Sequence, residues 1–206
     1  LRLNDDDAAY LSFTPSSAGN QKIWTWSSWI KFYPRAGADL TLFSAEDGSD
    51  ESSTNFQFKD DGGSGASGFQ VWQNGNTPYL LTNAKYRDPS AWYHFVVAAD
   101  TTQGTDTNRM KFYVNGEQVT SFVGSADTFP DEDQEMNVND ATRHDIGNKN
   151  YLGSDEQYFD GHVAEVFFID GTQYAASDFG ETDEDSGIWK PKDAKDDLTF
   201  GSQGYY

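Results

Sequence analysis

The sequence predicts an all-β fold, a two-sheet antiparallel β-sandwich. Three observations support this prediction: short segments of alternating polarity recur along the chain, turn-forming residues separate them, and helical periodicity is scarce. A chain of 206 residues suits one sandwich or barrel. We therefore expect a single domain over residues 1–206, either alone or within a longer chain.

The first half of the chain contains several predicted strands. Residues 1–13 predict two short strands around an acidic turn, and residues 23–32 alternate with a period of two, which indicates a half-buried strand. Its core face carries Trp24, Trp26, Ile30 and Phe32. Further strands are predicted at 39–45, 55–59 and 68–73, with a hairpin turn at Asn74-Gly75 and an edge-like strand or loop from Pro78 to Tyr86.

The second half contains the two most apolar strands. Residues 92–100 and 158–171 are apolar on both faces, which predicts central strands that need cover on both sides. His94 is expected to be a hydrogen-bonded core or rim residue. Asn115-Gly116 between two alternating segments predicts a hairpin with a type I′ turn. Residues 143–148 predict another strand, and residues 173–180 one helical turn.

Composition excludes several classes of function. Acidic residues outnumber basic ones by 34 to 14, for a formal net charge of -20. Such a surface repels phosphate backbones and anionic lipids, so we expect no nucleic-acid partner; no apolar run is long enough for membrane insertion. The same acidity is also typical of proteins that stay soluble in salty water. Without cysteine, the chain has no disulfide, thiolate metal site or thiol nucleophile.

Five sequence blocks resemble a known family. They are AAYLSFTPSSAGN, WTWSSWIKF, RDPSAWYHFVVAADTTQ, MKFYVNGEQVTSF and YFDGHVAEVFFIDG, the last running into SDFGETDEDSGIWKPK. In this order they resemble the concanavalin A-like lectin/glucanase superfamily, specifically the laminin-G-like jelly rolls of marine and environmental phage tail, appendage and decoration proteins. The resemblance implies a jelly roll that binds glycans on a concave sheet or at rim loops, often with calcium. It also implies an extracellular or virion-surface location.

A lectin-like site needs aromatic rings that stack on sugars and amides that bind hydroxyl groups. Side chains of these types lie at or beside predicted loops, and we take as candidate ligand-binding residues Trp72, Asn74, Tyr79, Tyr86, Tyr151 and Tyr158. Packing within the sandwich is the alternative role for each aromatic residue.

Calcium has chemical support, because hard cations prefer carboxylate and carbonyl oxygens and the loops are rich in acids. In related jelly rolls an Asp often precedes the Glu of the central strand and helps to bind calcium, but Ala164 occupies that position here. Asp6, Asp7 and Asp160 remain candidate calcium ligands. No EF-hand is present, since Met136 stands where its loop requires glycine.

Glycoside hydrolysis would need carboxylates held rigidly on one strand face. The nearest motif has its first two acids at Glu181 and Asp183 but has Ser186 in place of its last acid. Glu165 is expected to have only apolar neighbours on its face of the strand. We therefore expect a non-enzymatic recognition or decoration module. Its expected partners are a host glycan or surface protein, other virion proteins and further copies of itself. The alternatives are a purely structural decoration or cementing protein and, third, a glycoside hydrolase.

Overall fold

A computed structural model confirms the predicted sandwich of two large antiparallel sheets. It describes residues 1–46, 53–60, 67–73, 77–151 and 153–206, with only the backbone of Tyr151. The strands of the first sheet, sheet A, are β1 (Arg2–Leu3), β3 (Ile23–Phe32), β8 (Tyr93–Asp100), β9 (Met110–Val114), β10 (Glu117–Val119) and β15 (Gly161–Asp170). Those of sheet B are β2 (Leu11–Phe13), β4 (Leu40–Glu46), β5 (Ser53–Asp60), β6 (Ser67–Gln73), β7 (Tyr79–Thr82), β11 (Phe122–Thr128) and β12 (Arg143–Ile146).

Within the described residues, sheet A has the order β1-β15-β3-β8-β9-β10 and sheet B the order β11-β7-β6-β5-β4-β12-β2. The remaining elements are short: the hairpins β13 (Lys149–Tyr151)–β14 (Ser154–Glu156) and β16 (Gly180–Thr182)–β17 (Trp189–Pro191), helix α1 (Asp106–Arg109), and 3-10 helices at Asp5–Asp7 and Ala176–Asp178. The segment from Pro78 to Tyr86 is not an edge of sheet B, because β11 pairs with the far side of β7. Among the described residues, no helix has the length and apolar character needed to cross a membrane.

The main core lies between the two sheets and is largely aromatic. Trp24 stacks on Phe56 with ring centroids 5.9 Å apart, and Phe32 stacks on Phe58 at 3.9 Å. These contacts arise because period-two alternation sends the large apolar side chains of facing strands to the same interior layer. The predicted core face of β3 is confirmed, since Trp24, Trp26, Ile30 and Phe32 are all buried.

The prediction that the central strand β15 needs cover on both faces is confirmed. Val163 and Phe168 belong to the main core, whereas Phe167 and Ile169 lie in a second apolar cluster with Phe179. A bulge between Ala164 and Phe167, with Glu165 at a φ of 51°, produces this change of face. The expectation that Val163 and Phe167 share a face with Glu165 is therefore wrong.

The C-terminal segment, residues 173–206, supplies the second cover of sheet A. It contributes Ala176, Phe179 and Ala194 to the second cluster. It also covers the polar positions of β3, where the Thr25 hydroxyl accepts a hydrogen bond from the backbone N–H of Tyr174 at 2.9 Å. The prediction of a half-buried β3 is wrong for this reason.

The predicted hairpin between β9 and β10 is confirmed. Asn115 and Gly116 have φ values of 49° and 87°, the two positive values that a type I′ turn requires. A Cβ on Gly116 would lie 2.7 Å from the ring of Trp189, so the turn also needs glycine for close packing. The Asn74-Gly75 hairpin turn lies outside the described residues.

Candidate functional site

The outer face of sheet B, which points away from sheet A, is polar. Strand register places one row of side chains directly beside one another across five strands, in the order Asp145, Ser44, Asn55, Trp72 and Tyr79. Directly paired residues of neighbouring strands lie on the same face of a sheet. A second row on this face contains Thr41, Gln57, Gln70 and Leu81. We call this surface the polar face.

The polar face is buried, although an outer face is usually solvated. Asn55, Gln57 and Gln70 all lie below the surface. Their amides are partly used: the Gln57 Nε2 group donates to Gln70 Oε1 at 2.7 Å, and the Asn55 Nδ2 group donates to Ser53 Oγ at 3.2 Å. The sequence produces this arrangement because Asn55 and Gln57 alternate with core phenylalanines along β5.

Several polar atoms of this face have no hydrogen-bond partner among the described residues. They are Glu46 Oε1, Asn55 Oδ1, Gln57 Oε1, Gln70 Nε2 and Trp72 Nε1. Buried polar groups in native proteins are normally paired, and an unpaired one costs about 1–3 kcal/mol. Unpaired buried atoms also occur elsewhere, at the indole N–H groups of Trp24 and Trp26 and the amide oxygens of Asn139 and Asn148. The argument therefore rests on the clustering of several amide and carboxyl atoms on one face. Together these donors and acceptors match the hydrogen-bonding needs of sugar hydroxyl groups.

The hairpin β13–β14 crosses part of the polar face. Ser44 Oγ donates to the backbone carbonyl of Asn148 at 2.9 Å, which fixes the hairpin on β4. Lys149 reaches over β5 and places its Nζ 5.3 Å from the centroid of the Trp72 ring. One face of that ring is therefore covered by a cation, whereas the neighbouring Tyr79 is 40% exposed.

Glu46 has an unusual protonation state for a glutamate. It is 3% exposed, and burial raises its pKa to about 8. Lys149 and Arg143 favour the charged carboxylate, and Asp145 and Glu156 oppose it. At neutral pH the side chain is thus mainly a neutral acid that can donate as well as accept a hydrogen bond.

A cleft of about 790 Å³ lies at one end of sheet B, where β4 begins and β5 ends. Asp6 and Tyr158 both line it. Lys59 pairs with Asp39 at 2.6 Å beside them. This end cleft therefore brings together one predicted metal ligand and one predicted sugar-binding aromatic residue.

The other predicted site residues are dispersed. Tyr86 is 7% exposed and packs edge-on against Phe58 and Phe95 in the main core, and burial raises its pKa to about 12. Its ring has no free face for a sugar, so it leaves the candidate set. Asn74 and the side chain of Tyr151 lie outside the described residues. Sugar binding by Trp72, Tyr79 and Tyr158 stays a prediction.

The predicted calcium ligands do not form a coordination shell. Asp7 accepts a hydrogen bond from Asn4 at 2.7 Å, Asp6 lines the end cleft, and the Asp160 carbonyl accepts from the Tyr33 N–H at 3.2 Å. Within the part of the chain that the structure describes, no three His, Cys, Asp or Glu side chains come together as a metal site. The described residues thus do not fit the ion, and calcium binding stays a prediction.

The carboxylates of the hydrolase alternative are exposed on the hairpin β16–β17. Lys190 pairs with Asp183 at 3.0 Å and with Glu181 at 3.4 Å. Hydrogen bonds from Ser186 and Lys190 lower the pKa of Asp183, which disfavours it as a general acid. Glu165 instead accepts a hydrogen bond from the Tyr206 hydroxyl at 2.9 Å.

Sequence reasoning missed the amide residues of the polar face. Asn55, Gln57 and Gln70 alternate with apolar residues, which the period-two rule interprets as a solvated face. The available signal was the choice of amide over charged side chains in NFQF and FQVW. Amides remain neutral under cover, whereas lysine or glutamate is far more costly to bury.

Comparison with known proteins shows the family. A family model described as the concanavalin A-like lectin/glucanases superfamily matches residues 5–185. The chain belongs to this superfamily. The match supports the predicted family, and no curated protein matches the sequence.

Solved structures share the fold at low sequence identity. A heptameric SAP-like pentraxin from Limulus polyphemus is 17% identical with a TM-score of 0.54, over 80% of this chain and 71% of the pentraxin. Tailspike protein 2 of Escherichia coli O157:H7 bacteriophage CAB120 is 16% identical, with a TM-score of 0.58 over 87% of this chain and 23% of the tailspike. NanB, a sialidase from Streptococcus pneumoniae, is 13% identical, with a TM-score of 0.56 over 90% of this chain and 29% of NanB. The chain thus spans less than a third of the tailspike and of NanB.

Proposed function

We propose that this protein is a non-enzymatic carbohydrate-recognition module that binds a neutral glycan on the polar face. The observation that carries the proposal is the group of buried, unpartnered amide and carboxyl atoms at Glu46, Asn55, Gln57 and Gln70. A sugar presents adjacent hydroxyl groups that donate and accept hydrogen bonds. These atoms are buried in the unliganded protein, so a hydroxyl reaches them only when the side chains over them move aside. Each pair that then forms removes an existing desolvation cost, which favours the bound state.

The aromatic residues at the edge of the polar face support the same proposal. Tyr79 presents an exposed ring beside Trp72, which offers a saccharide an apolar surface at the end of the amide row. Glycan binding is also consistent with membership of a lectin-type superfamily. Fold alone does not establish a function, so the site residues carry the argument.

We further propose that the module acts on an extracellular or virion surface, where its partner is a host glycan. A phage tailspike protein is among the solved structures with this fold, which agrees with that setting. The second candidate is a structural decoration or cementing protein without a free ligand. The buried polar face favours recognition, because a purely structural surface gains nothing from unpartnered polar atoms.

The test is a glycan array followed by calorimetry on the best ligand, with wild-type protein and the Gln57→Ala variant. We expect Gln57→Ala to weaken binding by at least about tenfold, since it removes one buried hydrogen-bonding group. Gln118→Ala is the matched control, because Gln118 is exposed on β10 of the other sheet. Its affinity should equal that of the wild type.

Two outcomes would contradict the proposal. Equal affinity of Gln57→Ala and wild type would move the site elsewhere, and Tyr158→Ala would then test the end cleft. No glycan binding at high protein concentration, combined with tight binding to purified virion parts, would establish the structural alternative.

A further inference from the structure

The outer face of sheet A has an uncovered end beyond the C-terminal segment. Strand register places Arg2 beside His162 and His162 beside Lys31, on three adjacent strands. Their chain neighbours Leu3, Ile30 and Val163 point into the main core, so the three basic side chains point outward. We call Arg2, His162, Lys31 and the adjacent Trp92 the basic patch.

An exposed aromatic ring completes the basic patch. Trp92 is 43% exposed, and its ring centroid lies 6.4 Å from that of His162. Tyr33, the next outward residue after Lys31, is also 43% exposed. Tryptophan and tyrosine are enriched at binding surfaces.

The basic patch is a cluster of basic side chains on a strongly acidic protein. The chain has a net charge of -20 and only 14 Lys and Arg residues, yet two of them flank His162 here. Among the described residues, neither Arg2 nor Lys31 forms an ion pair, and His162 Nδ1 has no hydrogen-bond partner. Asp88 is the acid near Lys31, and hydrogen bonds from Ser90 lower its pKa with a smaller contribution from Lys31.

We propose that the basic patch binds a saccharide that carries a carboxylate or sulfate group. Arg2 and Lys31 bind the anionic group, and the Trp92 ring stacks on the sugar. A long polyanion is disfavoured because the net charge of the whole protein repels it at distance.

This site lies on the opposite side of the sandwich from the polar face and does not rest on the proposed function. The probes are a hyaluronan tetrasaccharide, which carries carboxylates, and chitotetraose, which is neutral. A desulfated and a sulfated chondroitin tetrasaccharide distinguish carboxylate from sulfate recognition. Binding to each is measured by calorimetry at low and at physiological salt, because screening weakens charge-based attraction.

We expect the wild type to bind the anionic probes and not chitotetraose through this patch. The double variant Arg2→Gln/Lys31→Gln and the variant Trp92→Ala should each weaken anionic binding by at least about tenfold. Lys195→Gln is the matched control, since Lys195 is exposed on the C-terminal segment, and it should bind as wild type. Gln57→Ala should also leave this affinity unchanged, which separates the basic patch from the polar face.

Three results would overturn the proposal: equal binding of hyaluronan and chitotetraose by the Gln57→Ala variant, wild-type affinity in Arg2→Gln/Lys31→Gln, or undiminished affinity in Trp92→Ala. Melting temperatures confirm that each variant is folded, and Lys31→Gln alone replaces the double variant if that one fails to fold. Sedimentation analysis tests the other possible occupant of the basic patch, a second copy of this chain. If the charge variants dissociate an oligomer and bind every probe as wild type does, the patch joins copies of this chain instead.

Discussion

The outer faces of the two sheets use burial in opposite ways. Behind sheet A, the C-terminal segment packs Phe179 against Phe167 with ring centroids 5.4 Å apart, in an apolar cluster that resembles a second core. Behind sheet B, the buried side chains are amides whose polar atoms remain partly unpaired. Apolar burial stabilises the fold directly, whereas unpaired polar burial costs free energy that a ligand can recover. We infer that the first surface serves stability and the second serves recognition.

His94 shows how a polar group is accommodated behind sheet A. The indole N–H of Trp189 donates to His94 Nδ1 at 3.0 Å, and because an indole can only donate, Nδ1 must be unprotonated. The proton is therefore on Nε2, which donates to Ser27 Oγ at 2.8 Å. Burial lowers the pKa of His94 to about 3, so the ring stays neutral at physiological pH. The predicted role of His94 as a hydrogen-bonded core residue is confirmed.

The largest expected effect comes from opening the cover of sheet A. Phe179→Ala removes a fully buried ring from the second cluster and should lower the free energy of unfolding by about 3–5 kcal/mol. Urea unfolding monitored by tryptophan fluorescence measures this change. Glycan affinity of the folded fraction should remain that of the wild type, because the polar face is on the other sheet.

The matched comparison is Gln57→Ala, which should destabilise the fold less than Phe179→Ala while weakening glycan binding, because it removes the unpaired Gln57 Oε1 together with the hydrogen bond to Gln70. A large stability loss in Gln57→Ala, or a loss of glycan binding in folded Phe179→Ala, would show that the two faces do not divide stability and recognition as inferred.

A second, smaller effect is expected at Asp170, which fastens the C-terminal segment to sheet A. Its carboxylate accepts hydrogen bonds from Asn20 N at 2.7 Å, Asn139 Nδ2 at 2.7 Å and Ser202 Oγ at 2.8 Å. Burial alone would raise the pKa of Asp170, but these hydrogen bonds together lower it below its usual value. Asp170→Asn should therefore reduce the free energy of unfolding by about 2–3 kcal/mol at neutral pH.

The stabilising contribution of the Asp170 carboxylate should depend on pH. A carboxyl group whose pKa is lowered by folding stabilises the protein above its unfolded pKa of 3.8, and this contribution is lost as pH falls through the folded pKa. The difference between wild type and Asp170→Asn should thus stay constant in urea titrations from neutral pH to about 4 and shrink below 3.8, as pH falls through the folded pKa. Asp185→Asn, at an exposed acid, is the control and should show no such trend. A constant difference would rule out the ionised carboxylate as the fastening group.

The sequence was informative wherever local rules decide the structure. Period-two alternation identified the core face of β3, and the Asn115-Gly116 pair identified the turn between β9 and β10. It failed at the bulge near Glu165, because one inserted residue reverses the faces without leaving a pattern that alternation can detect. Alternation also failed to predict the burial of the outer positions of β3, because the C-terminal segment that covers them is distant in the sequence.

Fewer features of the candidate sites than of the fold could be predicted from the sequence. Trp72 and Tyr79 were found from residue type, and register then placed them side by side. Tyr86 was misassigned because the same residue type fills cores and binding sites alike. The basic patch was invisible in sequence, since Arg2, Lys31 and His162 become neighbours only through pairing of distant strands.

The smallest expected effect concerns Glu46, the titrating acid of the polar face. Its pKa is raised from 4.5 to about 8, so the protonated acid stabilises the fold fully at low pH and loses this contribution as pH rises through about 8. Glu46→Gln keeps the shape and hydrogen-bonding groups of the neutral acid but cannot ionise. Its stability relative to wild type should therefore rise by about 1–3 kcal/mol between pH 5 and pH 9.

Urea unfolding of both proteins across this pH range measures the Glu46 effect, with Glu117→Gln on exposed β10 as the control. A flat difference would mean that Lys149 holds Glu46 as an ordinary carboxylate, and the polar face would then present a charge pair to its ligand instead of a neutral donor. The expected rise in the relative stability of Glu46→Gln would show that Glu46 ionises between pH 5 and pH 9, whereas the environment of His94 keeps that ring neutral throughout the same range. The polar face would then change its hydrogen-bonding character with pH, so its glycan affinity should change with pH as well.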